Sequence, residues 1–284
     1  MFKFKLIIGE ISFSFLFDQT FSFPKRKSLI GLVCVSLVLT SLSYAKFDIE
    51  SAVAIWLFDE GNGEEAKDLT ENGNDGKLLN GPKWVDGMFG KALSFDGVDD
   101  HVEVSSPTGL PAGANERTIS LWFKWSAVKW PSPGVEIMGY GANANSQRLG
   151  LWIDSSHALG IETCNYGRVF PWGGDTDWHH LAVVYPPGET STTKFKLYFD
   201  GVLQPGSDIG TAQTLNTASS PLAIGVLPTP KVYYFNGIID EVAIFSEALS
   251  EEYIKNINKR GIVNAATVSP SGKLATAWGK MKTQ

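Results

Sequence analysis

The stretch that decides the fold is TISLWFKW, residues 118–125, in which every second residue is large and apolar. The residues on that side are Ile119, Leu121, Phe123 and Trp125. Residues 149–153 and 194–199 repeat the alternation. A period of two is typical of β-strands, which turn one face towards a core and leave the other for solvent or ligand. The three stretches therefore predict strands of a layered β-protein.

Turn signals follow one another closely in the first part of the chain. They are the dipeptides Asn72-Gly73, Asp75-Gly76, Asn80-Gly81, Asp86-Gly87 and Asp96-Gly97. Further short strands are predicted at residues 52–58, 91–95, 101–104, 179–185, 221–225 and 238–245. The sequence shows no regular alternation of strands with helices, which disfavours a parallel sheet. We therefore predict an all-β fold, an antiparallel β-sandwich.

One helix is predicted, and it lies near the C-terminus. Ser250 can cap its first turn, and the acidic pair at 251–252 suits the positive end of the helix dipole. Basic residues gather near its far end, and Gly261 stops it. Residues 263–284 then lose any periodic pattern and are predicted to form a C-terminal tail.

The N-terminal 45 residues have the features of a signal peptide with an N-terminal extension. A basic cluster at 25–27 precedes an uncharged, mostly apolar run at 28–42, and Ser43-Tyr44-Ala45 has the small-x-small pattern of a cleavage site. We predict cleavage after Ala45, no membrane span in the mature chain, and a secreted, periplasmic or cell-surface location. The alternative is an uncleaved membrane anchor.

The charge of the chain disfavours nucleic acid as a partner. The whole chain carries a formal charge of −6. Beyond residue 45, 19 basic residues face 28 acidic ones, with no basic stripe. An acidic surface repels phosphate backbones, so we expect no nucleic-acid partner.

Four groups of segments resemble the laminin-G-like, concanavalin-A-like jellyroll family. They are AIWLFDEGNGEEAKDLTENGNDGKL at 54–78, GKALSFDGVDDHVEV at 90–104, TISLWFKW with DWHHLAVVY and KFKLYFDGVL, and FNGIIDEVAIFSEALSEEYI at 235–254. The resemblance implies a jellyroll domain over residues 46–262. It leaves function open, because this fold hosts lectins, adhesion modules and glycosidases.

The spacing of Glu and Asp residues in the sequence tests whether the protein is a glycosidase. Retaining glycosidases of this fold carry two Glu and one Asp at alternating positions of one strand, and such hydrolysis needs two carboxyls close together. No such motif occurs, and Glu136 stands alone in its stretch. His179 and His180 are adjacent, so on a strand they would face opposite ways, and a structural role is favoured for them. We predict a non-catalytic protein, with a diverged glycoside hydrolase as the less favoured alternative.

A calcium site is expected from the resemblance. In calcium-binding relatives the ion often ties early turns to the start of the last strand. Asp59, Asp240 and the Asp96-Gly97 turn would supply the carboxylate and carbonyl oxygens that calcium prefers. The alternative is ordinary turn chemistry, in which these side chains cap nearby amides.

Two tryptophans are candidates for ligand binding. Trp172 lies in FPWGG and Trp130 in KWPSPG, sequences that predict loops. Exposed rings on loops stiffened by proline suit stacking against sugars. Nearby polar residues that could bond hydroxyls are Tyr166, Arg168 and Asp175. The alternative is that the rings close the core. The favoured function is a lectin-like module for carbohydrate or glycoprotein, and the rival is a structural or adhesive module for protein partners.

Overall fold

The computed structural model describes residues 3–8, 11–16, 47–126 and 134–267. Residues 1–44 are a separate unit, of which the structure describes an antiparallel pair of strands, β1 (Lys3–Ile8) and β2 (Ile11–Leu16). The expected apolar run and cleavage site lie outside the described residues, as does Trp130.

The first large sheet has eight strands, all paired antiparallel. They are β4 (Ala52–Trp56), β7 (Lys83–Asp86), β8 (Lys91–Asp96), β10 (Arg117–Trp125), β15 (Trp178–Tyr185), β16 (Lys196–Phe199), β17 (Val202–Gln204) and β20 (Asn236–Phe245). The order is β17-β16-β15-β10-β20-β8-β7, and β4 also pairs with β20.

The second large sheet has nine strands, again paired antiparallel. They are β5 (Glu65–Ala66), β6 (Gly76–Leu79), β9 (His101–Val104), β11 (Gly134–Gly141), β12 (Arg148–Asp154), β13 (Ala158–Glu162), β14 (Tyr166–Pro171), β18 (Ser207–Gly210) and β19 (Leu222–Ile224). The order is β18-β14-β13-β12-β11-β19-β9-β6-β5. The predicted antiparallel sandwich is thereby confirmed.

The core fills the space between the two sheets. The predicted inward row of β10 is confirmed, since Ile119, Leu121, Phe123 and Trp125 are all buried in it. The facing row of β12 is Leu149, Leu151 and Ile153. Each strand thus contributes every second side chain to one shared apolar layer, as the period of two requires.

The other face of the eight-stranded sheet is covered as well. Ser120 and Trp122 of β10 were expected to face solvent or ligand, but both are buried, and Trp122 is only 4% exposed. A second apolar cluster lies on this face and includes Ile254 and Ile257 of helix α1 (Glu251–Arg260). The expectation of an open face was therefore wrong, because the C-terminal segment packs onto part of this face and Phe89 and His180 pack against the ring of Trp122.

The predicted helix is confirmed with both of its end signals. Ser250 Oγ accepts a hydrogen bond from Tyr253 N–H at 3.4 Å, and Gly261 ends the helix at φ 77°. The chain then forms α2 (Ile262–Ala265) and β21 (Ala266–Thr267), which pairs in parallel with β3 (Phe47–Asp48). The expected tail therefore begins with ordered structure over residues 263–267. No helix within the described ranges is both long and apolar enough to cross a membrane.

Candidate functional site

Trp172 lies just beyond β14, at one end of the sandwich. Its partly buried ring meets Phe123 at 5.4 Å and Phe199 at 6.5 Å between ring centroids. Its backbone N–H donates to His157 O at 3.1 Å. Trp172 therefore lies in a loop, as predicted, and its ring packs against the edge of the core, which is the alternative that the sequence left open. The ring is shared between the core and the surface.

His179 lies beside Trp172 and is held between two carboxylates. Its Nδ1 is 2.9 Å from Asp200 Oδ2, and its Nε2 is 2.8 Å from Asp175 Oδ1. The ring stacks on Phe199 at 4.6 Å, and the side chain is only 12% exposed. Burial lowers the pKa of His179, but the bonds to Asp200 and Asp175 outweigh it, so the pKa is raised overall.

Residues 173–177, which we call the flap, are exposed except for the half-buried Gly174, and the flap carries Asp175 next to Trp172. Gly173 and Gly174 have φ of 85° and 70°, the left-handed region that glycine adopts at low cost. Asp175 Oδ1 also accepts the N–H of Asp177 at 2.9 Å, which closes a turn within the flap. Of the predicted ligand-binding residues, Trp172 and Asp175 are thus brought together.

Tyr166 and Arg168 form a different cluster. Both lie on strand β14, where a loop was expected, and both bond Asp208 of the edge strand β18. Burial and the bond to Asp208 raise the pKa of Tyr166. Arg168 is four residues from Trp172 along the strand, which is about 13 Å. Both polar groups already have protein partners, so grouping them with Trp172 was wrong for a single compact site.

Asp59 and Asp240 approach one tight turn at residues 87–90. Asp59 Oδ1 accepts the N–H of Lys91 at 2.8 Å. Asp240 Oδ2 accepts the N–H of Phe89 at 3.0 Å. Asp59 and Asp240, which the sequence analysis placed in one candidate site, therefore lie at the same turn.

Asp240 is fully buried, and its Oδ1 has no hydrogen-bond partner among the described residues. Burial raises the pKa of Asp240 to about 7, and nearby Asp59 adds to the shift. The pKa of the neighbouring Glu241 rises to about 8, again mainly by burial, with Asp240 and Asp59 contributing. A cation beside these carboxylates would relieve both their burial cost and their mutual repulsion, so the residues fit a hard, oxygen-binding ion.

Asp96 and Gly97 do not belong to that group. Asp96 pairs with Asn236 at the opposite end of the β8–β20 ladder. Asp240 is four residues further along β20, or about 13 Å. Asp96 instead gathers with Asp99 and Asp100, and one carboxylate oxygen of each lies within 4.8 Å of the others. Including the Asp96-Gly97 turn in a single metal site was therefore wrong.

A family profile for the concanavalin A-like lectin/glucanases superfamily matches residues 96–255. The chain belongs to this superfamily. No curated protein sequence matches the chain significantly. The profile covers the strands from the end of β8 to helix α1, so it includes both the Trp172 end and Asp240.

Solved structures agree with the superfamily fold. Domain 4 of the GH43 extracellular arabinanase AbnA from Geobacillus stearothermophilus, in complex with arabinotriose, is 20% identical at a TM-score of 0.55, covering 75% of this chain and all of that domain. Trypanosoma rangeli sialidase in complex with 2,3-difluoro-KDN is 14% identical, with a TM-score of 0.54 and coverage of 74% and 32%.

The receptor-binding domain of the botulinum neurotoxin C/D mosaic serotype is 14% identical at a TM-score of 0.55, with coverage of 74% and 51%. The chain therefore spans about a third of the sialidase and half of the toxin domain. At these identities the likeness concerns the fold alone. These structural neighbours come from enzymes as well as from a receptor-binding domain.

Glu136 is a buried carboxyl for which the sequence analysis predicted no role. It is 1% exposed on β11, and its Oε1 has no hydrogen-bond partner in the described part of the chain. Burial raises the pKa of Glu136 well above the ordinary range, and Glu162 adds to the shift. Glu162 itself is bound by Arg148. Gly150, on the outward side of β12, has no side chain, and the Glu136 carboxyl occupies the space that a side chain there would fill. A glycine inside a predicted strand is the sequence signal that could have indicated this close approach.

A surface groove lies between the loops at 109–116 and 187–190. Its volume is about 640 Å³, and its lining includes the carboxylates of Glu116 and Glu189. Arg117 fixes one wall from below, because its guanidinium donates to the carbonyls of Pro111, Gly113 and Asn115. The groove is therefore a preformed second place at which a ligand can be sought.

Proposed function

We propose that this protein is an exported, lectin-like recognition module that binds glycans or glycoproteins at the end of the sandwich around Trp172. The observation that carries the proposal is the partly buried Trp172 ring, which the core holds beside the exposed Asp175 and Asp200 carboxylates. A fixed aromatic ring next to hydrogen-bond acceptors suits a sugar, which has an apolar face and hydroxyls at its edge.

The arrangement keeps the aromatic ring of the site fixed before a ligand arrives. Trp172 is fixed through its backbone bond to His157 and through ring contacts to Phe123. Preorganisation lowers the entropy lost on binding, but a shallow site buries little area. We expect dissociation constants of about 1 μM to 1 mM, or about −8 to −4 kcal/mol. The arabinanase domain bound to arabinotriose and the toxin receptor-binding domain support a recognition role.

The test is a glycan array on the purified domain, with and without calcium, followed by titration of any hit and of arabinotriose as a named probe. Binding that soluble sugar competes away supports the proposal. Binding to proteins that no soluble sugar displaces would favour the structural or adhesive alternative. Binding that survives loss of the Trp172 ring would place the site elsewhere, and the groove at Glu116 would be the next position to test.

We infer that the protein is not a glycosidase. The alternating carboxylate motif of the retaining enzymes is missing, and Glu136 is too buried to meet a substrate as the chain is folded. Purified protein should leave β-glucans and galactans intact. Turnover that disappears in Glu136→Gln or Glu162→Gln would establish the hydrolase alternative.

We also infer a structural calcium ion near the turn at residues 87–90. Asp59 and Asp240 would supply carboxylate oxygens, and the Asp240 Oδ1 described above is the atom that most needs a partner. The ion would balance negative charge between the first strands and β20, which are far apart in sequence. We expect its effect to be on stability, since Trp172 belongs to another part of the domain.

A further inference from the structure

The two hydrogen bonds of His179 require a particular protonation state. Asp175 and Asp200 are carboxylates, which only accept hydrogen bonds while they are ionised. A neutral imidazole has one N–H, whereas an imidazolium has two. Both ring nitrogens of His179 lie within 2.9 Å of a carboxylate oxygen, so both contacts are hydrogen bonds only when the ring is charged.

Loss of the proton would break one contact before the other. Asp200 is fixed by a second bond, because its Oδ1 accepts the backbone N–H of His180 at 2.9 Å. Asp175 lies on the exposed flap, and its other bond, to the N–H of Asp177, stays within that flap. The neutral ring would therefore keep Asp200 as its partner and release Asp175.

The backbone of the flap permits this release. Trp172 and Gly173 both donate to His157 O, at 3.1 and 3.3 Å, so the chain is fixed up to that point. Beyond it, Gly173 and Gly174 occupy the left-handed region that only glycine adopts readily. A hinge at these glycines would move Asp175 without disturbing the ring of Trp172.

We propose that His179 and Asp175 form a proton-controlled latch that closes the 173–177 flap when His179 is charged and opens it when the ring is neutral. The latch regulates the same end of the sandwich to which sugar binding is assigned, and in that respect it rests on the proposed function. Once released, Asp175 can accept a hydroxyl of a ligand stacked at Trp172. Ligand binding should therefore strengthen as the pH rises through the pKa of His179.

The surroundings of His179 make Asp175 and Asp200 the deciding charges. The elements packed against its ring contribute Phe123 from β10, Trp172 from beyond β14 and Phe199 from β16, none of which titrates. The raised pKa of His179 agrees with the geometry, since the two carboxylates favour the charged ring despite its burial. Each unit of that rise corresponds to about a tenfold stronger latch in the charged state.

The experiment measures the latch without any ligand. Imidazole signals of His179 are followed by NMR through a pH titration of the whole protein, together with backbone amide relaxation of residues 173–177. We expect the pKa of His179 above its ordinary value, and we expect the order parameters of the flap amides to fall from about 0.85 to below about 0.6, or exchange broadening to appear in relaxation dispersion, as the ring loses its proton. Order parameters and relaxation dispersion that both stay unchanged while His179 titrates would overturn the latch.

Variants separate the latch from simple damage to the flap. In Asp175→Asn the amide can accept from the charged ring or donate to the neutral one, so the flap should stay closed at either pH. Asp175→Ala should leave it open at either pH, and Asp177→Asn, on the same flap, should behave as the wild type. An Asp175→Asn protein that kept the wild-type pH response would contradict the latch. Failure to bind any glycan would leave these results unaffected and would count only against the proposed function.

Discussion

Arg117 Nη1 donates to the hydroxyl of Tyr140 at 2.9 Å, and this bond joins the two sheets inside the core. Arg117 belongs to β10 and Tyr140 to β11, which face each other across the sandwich. Both side chains are fully buried, and the Tyr140 hydroxyl donates in turn to Pro111 O at 3.0 Å. A buried cation is thus satisfied by carbonyl and hydroxyl oxygens, and it fixes the loop that forms one wall of the groove.

Arg117→Ala should lower the free energy of unfolding by about 3–5 kcal/mol, because it leaves several buried oxygens without a donor. Tyr140→Phe should lower it by about 1–2 kcal/mol, since only one partner of Arg117 is removed. Urea unfolding of both variants measures the two values. A loss below about 1 kcal/mol for Arg117→Ala would show that water reaches these oxygens and replaces the guanidinium.

Calcium should raise the melting temperature through Asp240. A ligand at a hundredfold excess over its dissociation constant adds about 2.7 kcal/mol. For a domain of this size that corresponds to about 5–11 °C. Asp240→Asn should lose most of the shift, whereas the control Asp96→Asn, at the separate acidic cluster, should keep it. Differential scanning calorimetry with calcium or chelator gives the answer, and a full calcium shift in Asp240→Asn would rule out the assigned ligand.

His180 should make the fold sensitive to acid. The ring is fully buried and bonds Ser120 Oγ at 2.8 Å, and burial lowers its pKa from 6.5 to about 3. The unfolded chain takes up a proton near the ordinary value, but the folded chain resists it. The contribution of His180 to stability is therefore complete above pH 6.5 and falls as the pH decreases towards 3, by about 1.4 kcal/mol per unit.

His180→Gln removes the titrating group and keeps a side chain that can bond Ser120. The difference in unfolding free energy between the wild type and this variant should shrink as the pH is lowered from about 7 to about 4.5. His157→Gln, at a partly exposed histidine, serves as the matched control. A difference that stayed constant with pH would mean that the folded protein accepts a proton at His180 as readily as the unfolded chain does.

Sequence patterns predicted the strands whose two faces differ most. β10 was evident because its inward residues are all large and apolar. β14 was missed because YGRVFP contains a glycine, an arginine and a proline, which together predict a loop. Its pairing with β13 and β18 supplies the backbone partners that its composition does not signal. Tertiary pairing thus overrides a weak local pattern.

Contacts between distant segments explain the remaining differences. Asp240 lies on a predicted strand and Asp96 in the predicted turn after another, but only the register of β8 with β20 decides which of them meets Asp59. Trp122 was expected to be exposed because nothing nearby in sequence covers it, whereas its ring packs against Phe89 and His180, which lie far away in the chain. Alternation predicts which face a residue occupies, but what packs on that face depends on the whole chain.

The predicted signal peptide implies that the exported protein has one defined N-terminus. The mature protein should begin at Lys46, after the Ser43-Tyr44-Ala45 site. Intact-mass spectrometry of protein recovered from the exported fraction measures this directly. A mature chain that retained residues 1–45 would instead favour an uncleaved anchor.

Replacement of Trp172 separates its two roles. The ring contacts Phe123 and Phe199, so Trp172→Ala should lower the free energy of unfolding by about 1–3 kcal/mol, less than for a fully buried tryptophan. A domain stable by about 5–15 kcal/mol tolerates this loss, and glycan binding should nonetheless become undetectable. Trp172→Phe keeps an aromatic ring against the core and should retain stability and part of the binding. Calorimetry and glycan titration on the same samples measure both effects. If Trp172→Ala unfolded the domain and Trp172→Phe bound as tightly as the wild type, the indole would serve the core alone and the sugar site would have to lie elsewhere.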